Sequence, residues 1–384
     1  MNVRAIITAD NHLDPPLNNF GLDRWKRKDD FLKCFEEMVD YARKERPDIL
    51  LMGGDLFDNM WPSNHARAAA MKDFRALHEA GVKVFAVSGH HDTPKSRLEG
   101  TSPLAVYGNS GYIHYFRDPT SPETVSLDYR GFLVTVTGVG HNPLHELGND
   151  PMDSVPRDLK GDFNIVIAHA PVQGFTGRTG DEPIIRPSAI PSQVNLLAVG
   201  HFHDYQKKRS GKTEIIYPGS TERVDAGEEE DEKKGFVWAE LSKDGSVSTK
   251  FIPTSARKYE TVELQFPNVP KPLEVLKGEV AKSFNPQVIL RVQLSGRVDP
   301  VNLSGYRRAD LITFAQGKVF HCFVDEDIDA ELPGEVNLGP HTTPLAELDA
   351  YFQRRIGEAS DDGKAVLSEA LQVSRSKLQE AGAW

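Results

Sequence analysis

Through the first 250 positions the apolar residues fall into short runs, and each run ends in a polar or glycine-containing loop. Residues 3–8 read as a buried strand, and Ile49-Leu50-Leu51-Met52 as a second that stops at Gly53-Gly54-Asp55. Between them Phe31, Cys34, Phe35, Met38, Val39 and Ala42 recur at intervals of three and four, which predicts a helix over 29–46 that Pro47 stops. Residues 63–80 form a second predicted helix, capped by Ser63 and closed by Gly81, and residues 82–87 a strand running into Ser88-Gly89-His90. The pattern returns at 132–137, at 164–168 leading into His169, and at 195–199 leading into Gly200-His201. Alternating strands and helices predict an α/β domain whose site lies beyond the carboxyl ends of the strands. Three later runs, 215–217, 236–241 and 247–252, suit a second sheet.

The texture changes near Ala256, so the first domain is assigned to 1–256. Residues 257–335 read as a small α+β domain, with strands at 261–264, 288–294 and 318–324 around a helix at 273–282. The last region, 336–384, contains the end of a linker-like stretch (332–340) and two amphipathic helices. Thr343 can cap the first, which aligns Leu345, Leu348, Phe352 and Ile356; the second begins near Asp361 and aligns Leu367, Leu371 and Leu378. This pair either packs on its own domain or docks another protein.

Composition narrows the functional classes. With 45 basic and 56 acidic residues the net charge is −11, the wrong sign for gripping nucleic acid over the whole surface, so a polyanion must be held locally. Candidate patches are Arg24, Lys26 and Arg27; Lys207, Lys208 and Arg209; and Arg307 with Arg308. Arg178 and Arg186 in the loop after His169 are further options. The acidic run 228–232 reads as a solvated loop. No apolar stretch approaches the roughly 18 residues of a spanning helix, and the amino-terminal segment reaches Asp10 too early for a secretory signal, so a cytoplasmic protein without membrane insertion is expected. Cys34 and Cys322 stand apart in apolar stretches and read as core residues, against both a disulfide framework and a thiolate zinc site.

The chemistry-bearing residues follow the predicted strands. Asp10-Asn11-His12, Gly54-Asp55 with Asp58, Gly89-His90-His91-Asp92, His169 and Gly200-His201-Phe202-His203 bring carboxylates and imidazoles from five loops. A single histidine of this kind is more often a hydrogen-bonded core or surface residue. The ordered set, each member after a strand, points instead to a site for manganese, iron, cobalt or zinc. Two ions about 3.5–4 Å apart need a bridging carboxylate, for which Asp55 is the candidate, and such a pair suits in-line attack on phosphorus.

These motifs resemble the calcineurin-like metallophosphoesterases and, more narrowly, the SbcD (meiotic-recombination-eleven) family of DNA break-repair nucleases. The narrower likeness rests on Gly54-Asp55-Leu56-Phe57-Asp58, on 217–223, on the acidic stretch into Lys234-Gly235-Phe236, and on 251–264. It covers residues 1–264 well, is weaker through the small domain, and is architectural in the terminal helices.

The resemblance implies a four-layer αββα sandwich followed by a DNA-binding cap and carboxyl-terminal helices. One ion would take Asp10, His12, Asp55 and His203; the other would take Asp55, residue 90, His169 and His201. His91 would be the catalytic imidazole, with water as the attacking group. Manganese is the working ion that the family implies. The implied reactions are 3′ to 5′ exonuclease action on double strands and endonuclease action on single strands or hairpins. The implied partners are DNA, a second copy of the chain, and an SbcC-type SMC-like ATPase docked on the terminal helices.

One position departs from the family. His90 stands where the family has asparagine, which tilts the second site toward softer ions. Two rival readings stand beside this one: a phosphoesterase acting on nucleotides, cyclic nucleotides or phosphoproteins, which the acidic charge supports, and a non-cleaving scaffold that binds DNA ends or the ATPase, with His90 marking a degraded site.

Overall fold

The computed structural model describes residues 2–177, 179–224, 233–330, 343–359 and 361–380. Arg178, the acidic run 228–232 and the linker 332–340 lie outside the described residues. The chain begins with β1 (Asn2–Thr8), α1 (Arg24–Glu45), β2 (Ile49–Met52), α2 (Asn64–Glu79), β3 (Lys83–Ala86), α3 (Leu104–Asn109) and β4 (His114–Tyr115). There follow β5 (Thr124–Asp128), β6 (Leu133–Val139), β7 (Phe163–His169), β8 (Val194–Gly200), β9 (Gln206–Ser210) and β10 (Thr213–Tyr217). A hairpin of β11 (Gly235–Ser242) and β12 (Val247–Pro253) closes this part.

Two six-stranded mixed sheets face one another, in the orders β12-β11-β1-β2-β3-β4 and β5-β6-β7-β8-β10-β9. Side-chain alternation explains the layers. On β1, Val3, Ala5 and Ile7 join Val134, Val136, Ile165, Ile167 and Leu196 of the opposing sheet in the central core. Ile6 points the other way, into a second core built with Phe31, Phe35 and Met38 of α1 and Phe74 and Leu77 of α2. The outer face of the second sheet, with Val166, Leu197 and Ile215, packs on Met152, Val155, Ile185 and Ile190. This fourth layer consists of loops and two short 3-10 turns, Pro151–Ser154 and Pro187–Ala189, where the resemblance implied helices. The architecture is the layered sandwich that the resemblance implied, with that thinner outer layer.

The helices begin and end where local chemistry directs. Ser63 caps α2 by accepting a hydrogen bond from the backbone N–H of Ala66 at 3.3 Å. The first helix starts at Arg24, earlier than the 29–46 pattern suggested, and its opening turns place Arg27, paired with Asp30, on the buried face ahead of Phe31.

Beyond the sandwich, β13 (Tyr259–Gln265), α4 (Pro272–Val280), β14 (Ile289–Val298), α5 (Pro300–Leu303), α6 (Arg308–Ala315) and β15 (His321–Ala330) form an all-parallel three-stranded sheet with helices on it. This unit rests on the segment before α1: Phe20 packs with Tyr259 and Ile289, and His321 lies 3.1 Å from Asp23. Last come α7 (Pro344–Glu358) and α8 (Asp361–Glu380), which pack on each other and are tied by Arg375 to Asp349. Thr343 caps α7 through the N–H of Ala346 at 3.3 Å, and no residue of α7 is buried. No described helix is long and apolar enough to cross a membrane.

Candidate metal centre

Short strands that stop together bring their following loops to one place. Backbone N–H groups of Asp10 and His12 donate to the carbonyls of Gly54 and Asp55 at 3.0 Å each, locking the loops after β1 and β2 together. Asp10, His12, Asp55 and His201 all have positive φ, at 51°, 45°, 50° and 113°. Residues with a Cβ rarely occupy such backbone, at a typical cost of about 1–3 kcal/mol each, and the surrounding sheets hold them there. Gly89 is required by close approach: a Cβ at that position would sit 2.3 Å from Oδ1 of Asp55. The backbone N–H of His91 donates to that same oxygen at 2.8 Å.

In one half of the site, ring or carboxylate atoms of Asp10, His12 and His203 lie within 4.8 Å of one another. His12 places Nδ1 2.8 Å from Asp58 and Nε2 3.2 Å from Nε2 of His203. A carboxylate on one ring nitrogen fixes the tautomer and leaves the other as a lone-pair donor. Asp58 also accepts a 3.0 Å hydrogen bond at its backbone carbonyl from Nδ1 of His91. His91 is therefore held through Nδ1, with 46% of its side chain exposed.

In the other half, His90, His169 and His201 form a second group within the same 4.8 Å limit. Asp10, Asp55 and His169 form a third that joins the halves. Nδ1 of His169 lies 2.8 Å from the carbonyl of Gly53, and its Nε2 lies 3.2 Å from Oδ2 of Asp55. Although burial works against charge on His169, the carboxylates of Asp55 and Asp10 more than offset it and raise its pKa to about 10. Burial likewise opposes charge on Asp55, yet His169, His12 and His91 hold its carboxyl well below the usual range. The buried carboxylates of Asp55 and Asp10 thus favour positive charge at His169.

The donor set fits a pair of divalent ions. Among the buried side-chain atoms without a hydrogen-bond partner are Nδ1 of His90, Nε2 of His169 and Nε2 of His201. Buried polar atoms normally find partners, so three convergent unpartnered nitrogens are what a metal cradle requires. All seven residues singled out as ligands, Asp10, His12, Asp55, His90, His169, His201 and His203, are brought to this one place.

Residues 3–205 match the calcineurin-like phosphoesterase family. The chain belongs to that family. Among curated proteins it is 26% identical over 296 residues to "DNA double-strand break repair protein Mre11" of Methanopyrus kandleri, covering 73% of this chain and 64% of that protein. It is 24% identical to the Mre11 of Methanosarcina acetivorans, over 98% of this chain and 59% of that one. It is also 26% identical to "Uncharacterized metallophosphoesterase YhaO" of Bacillus subtilis, over 64% of this chain and 59% of the relative. The chain therefore spans about three fifths of the length of these relatives.

This calcineurin-like phosphoesterase carries three further site residues that the motifs did not mark as ligands. Asp92 accepts from the N–H of Gly89 at 2.8 Å and of Phe57 at 3.3 Å, so it clamps two loops. Burial and the nearby Asp55 push its carboxyl up to about 7. His141 lies against His90 with ring centroids 3.8 Å apart and the planes tilted by 37°. It follows β6 after Gly140, a strand-end signal like those at the other loops. Glu182 places Oε2 2.7 Å from Nε2 of His90 and Oε1 3.1 Å from Nε2 of His201. Its loop has no metal motif, and only the folded chain reveals it.

The basic patches divide. Arg27 is a correction: it is buried, paired with Glu222 at 3.2 Å and Asp30 at 3.1 Å, and donates to the carbonyl of Arg223, so it presents no charge to a polyanion. Its position on the inner side of α1 explains this. Arg24 and Lys26 are exposed. Lys207 and Arg209 lie on edge strand β9 and share Glu214, at 3.8 and 3.6 Å, while Lys208 bonds the carbonyl of Gly174. Arg307 pairs with Asp310 at 3.0 Å, and Arg308 is exposed beside it. Arg186 is bound to Asp150 at 3.1 Å. Cys34 and Cys322 are buried free thiols, as expected of core residues.

Proposed function

We propose that this protein is a two-ion phosphodiesterase that hydrolyses DNA. The carrying observation is the buried carboxylate of Asp55, which groups with Asp10 of one imidazole-rich set and with His169 of the other. Under this reading Asp10, His12, Asp55 and His203 hold one ion, and Asp55, His90, His169 and His201 the other. Bound there, the ions would polarise a phosphoryl oxygen and lower the pKa of water. Manganese is the proposed working ion, with iron, cobalt or zinc as alternatives.

The protein's own groups supply the remainder. His91 is held by Nδ1 to the carbonyl of Asp58, so its outward Nε2 can hydrogen-bond the phosphoryl group and, when protonated, pass a proton to the departing 3′ oxygen. Beside it opens a cleft of about 310 Å³ lined by Asp58, Met60, Trp61, His90, His91 and Lys95. Trp61, 67% exposed, offers a face on which a base can stack. These features favour a nucleic-acid strand over a compact phosphoprotein side chain.

The similarity to Mre11 proteins supports placing this activity in DNA double-strand break repair. There we assign 3′ to 5′ double-strand exonuclease and single-strand or hairpin endonuclease action. It also supports a cytoplasmic protein working as a homodimer with an SbcC-type SMC-like ATPase on α7 and α8, and with residues 257–335 as the DNA-binding cap. Arg24, Lys26, Lys207, Lys208, Arg209, Arg307 and Arg308 are the proposed backbone contacts.

The test is degradation of a labelled duplex in manganese, compared with a small phosphodiester, by the wild type and by His91→Ala. Duplex cleavage abolished by His91→Ala supports the nuclease reading. Turnover of the small ester alone supports a nucleotide or phosphoprotein esterase, and no turnover of either supports a scaffold.

A further inference from the structure

His90 has two ring nitrogens in contrasting states. Nδ1 is buried without a partner, whereas Nε2 lies 2.7 Å from a carboxylate oxygen of Glu182. The ring is also covered by His141 at 3.8 Å, so rotation that would exchange the two nitrogens is obstructed. An ionised carboxylate only accepts, so this contact favours the tautomer of His90 with the proton on Nε2 and the lone pair on Nδ1. The second oxygen of Glu182 lies 3.1 Å from Nε2 of His201, with no hydrogen bond between them, so that nitrogen stays open for the ion.

Nδ1 of histidine is separated from Cα by the same number of bonds as the side-chain oxygen of asparagine. A histidine that ligates through Nδ1 reproduces the reach of an amide oxygen, provided that something accommodates the far edge of the ring. We propose that Glu182 is the positioning residue that makes His90 an Nδ1 ligand of the second ion. The proposal rests on the two-ion reading above. It adds a carboxylate from a loop between β7 and β8, and it accounts for an imidazole at position 90 without a degraded site. In this arrangement Glu182 serves the second ion as Asp58 serves the first.

The test is titration of the full metal-free chain with cobalt(II), reading visible absorption and heat, for the wild type, Glu182→Gln, His90→Asn and the double variant. The wild type should bind two ions. Glu182→Gln should weaken the second about 10–100-fold, the usual effect of removing such an orienting partner, with an altered cobalt spectrum and the first ion unchanged. Glu182→Asp should restore part of the affinity. In the His90→Asn background, which has no Nε2, adding Glu182→Gln should change affinity by no more than about twofold. The proposal is overturned if Glu182→Gln leaves second-ion affinity intact, or weakens it equally in both backgrounds, which would make Glu182 a direct ligand. A wild type that binds fewer than two ions would instead sink the two-ion reading and this inference with it.

Discussion

The two halves of the centre solve one problem in different ways. His12 is oriented by Asp58, which belongs to the same loop as Asp55, whereas the carboxylate at His90 comes from Glu182 on a distant loop. Local supply makes the first half compact and readable as a motif. Remote supply makes the second depend on how the 171–186 connection packs, through residues such as Val172 and Ile185 in the outer core of the second sheet. A metal site is as predictable as the outermost group that holds its ligands still.

The largest effect should come from His91, the residue proposed for catalysis and assigned to neither ion. His91→Ala is expected to lower duplex cleavage by about 10²–10⁴-fold while both ions still bind, since it removes only a proton-transfer group. Calorimetric metal counting alongside the rate assay checks this; loss of an ion together with the rate would reassign His91 as a ligand.

Next in size is the loss of Asp58. Asp58→Ala frees Nδ1 of His12 and should weaken the first ion by about 10–100-fold with the second little changed, the mirror image of Glu182→Gln. Equal weakening of both ions would mean that the halves do not act separately. Metal itself should stabilise the fold, by about 2.7 kcal/mol for each site when free ion is a hundredfold above its dissociation constant. Chemical unfolding with manganese or with chelator measures this, and Asp58→Ala should remove only the first site's share.

The smallest effect serves as a control away from both halves. Burial and the neighbouring Glu36 push Asp73 on α2 up to about 6. A carboxyl raised in the folded state binds its proton more tightly than in the unfolded chain, so stability should rise as pH falls from 7 toward 4. Asp73→Asn should add about 1 kcal/mol at pH 8, allowing for solvent screening, and nothing near pH 3. Urea melts at both values test it, and metal titration should be unaffected.

The strand-then-loop rhythm made the sandwich legible because apolar runs such as 49–52 and 164–168 are buried on both faces. The positions that converge on the centre were equally legible, because glycine beside histidine or aspartate marks backbone that turns sharply at a strand end. Arg27 was misread since a basic run gives no sign of which member faces inward; helical phase places it with Phe31 and Cys34, and that signal was available. His141 also had an available signal in Gly140-His141 after β6. Glu182 had none, because its role depends on two loops meeting in space.

The buried joint around Arg27 has a practical consequence for dissecting the molecule. Asp30 is shared between Arg27 and Arg257, whose guanidinium also lies 3.8 Å over the ring of Phe320, while Glu222 accepts from the backbone of Arg257. Cutting the polypeptide after Ala256 would strip Asp30 of one cation and bare the aromatic face of Phe20. A truncated phosphoesterase lobe would thus inherit a charged, sticky scar, and its solubility would report on that wound rather than on the lobe's intrinsic capacity to fold.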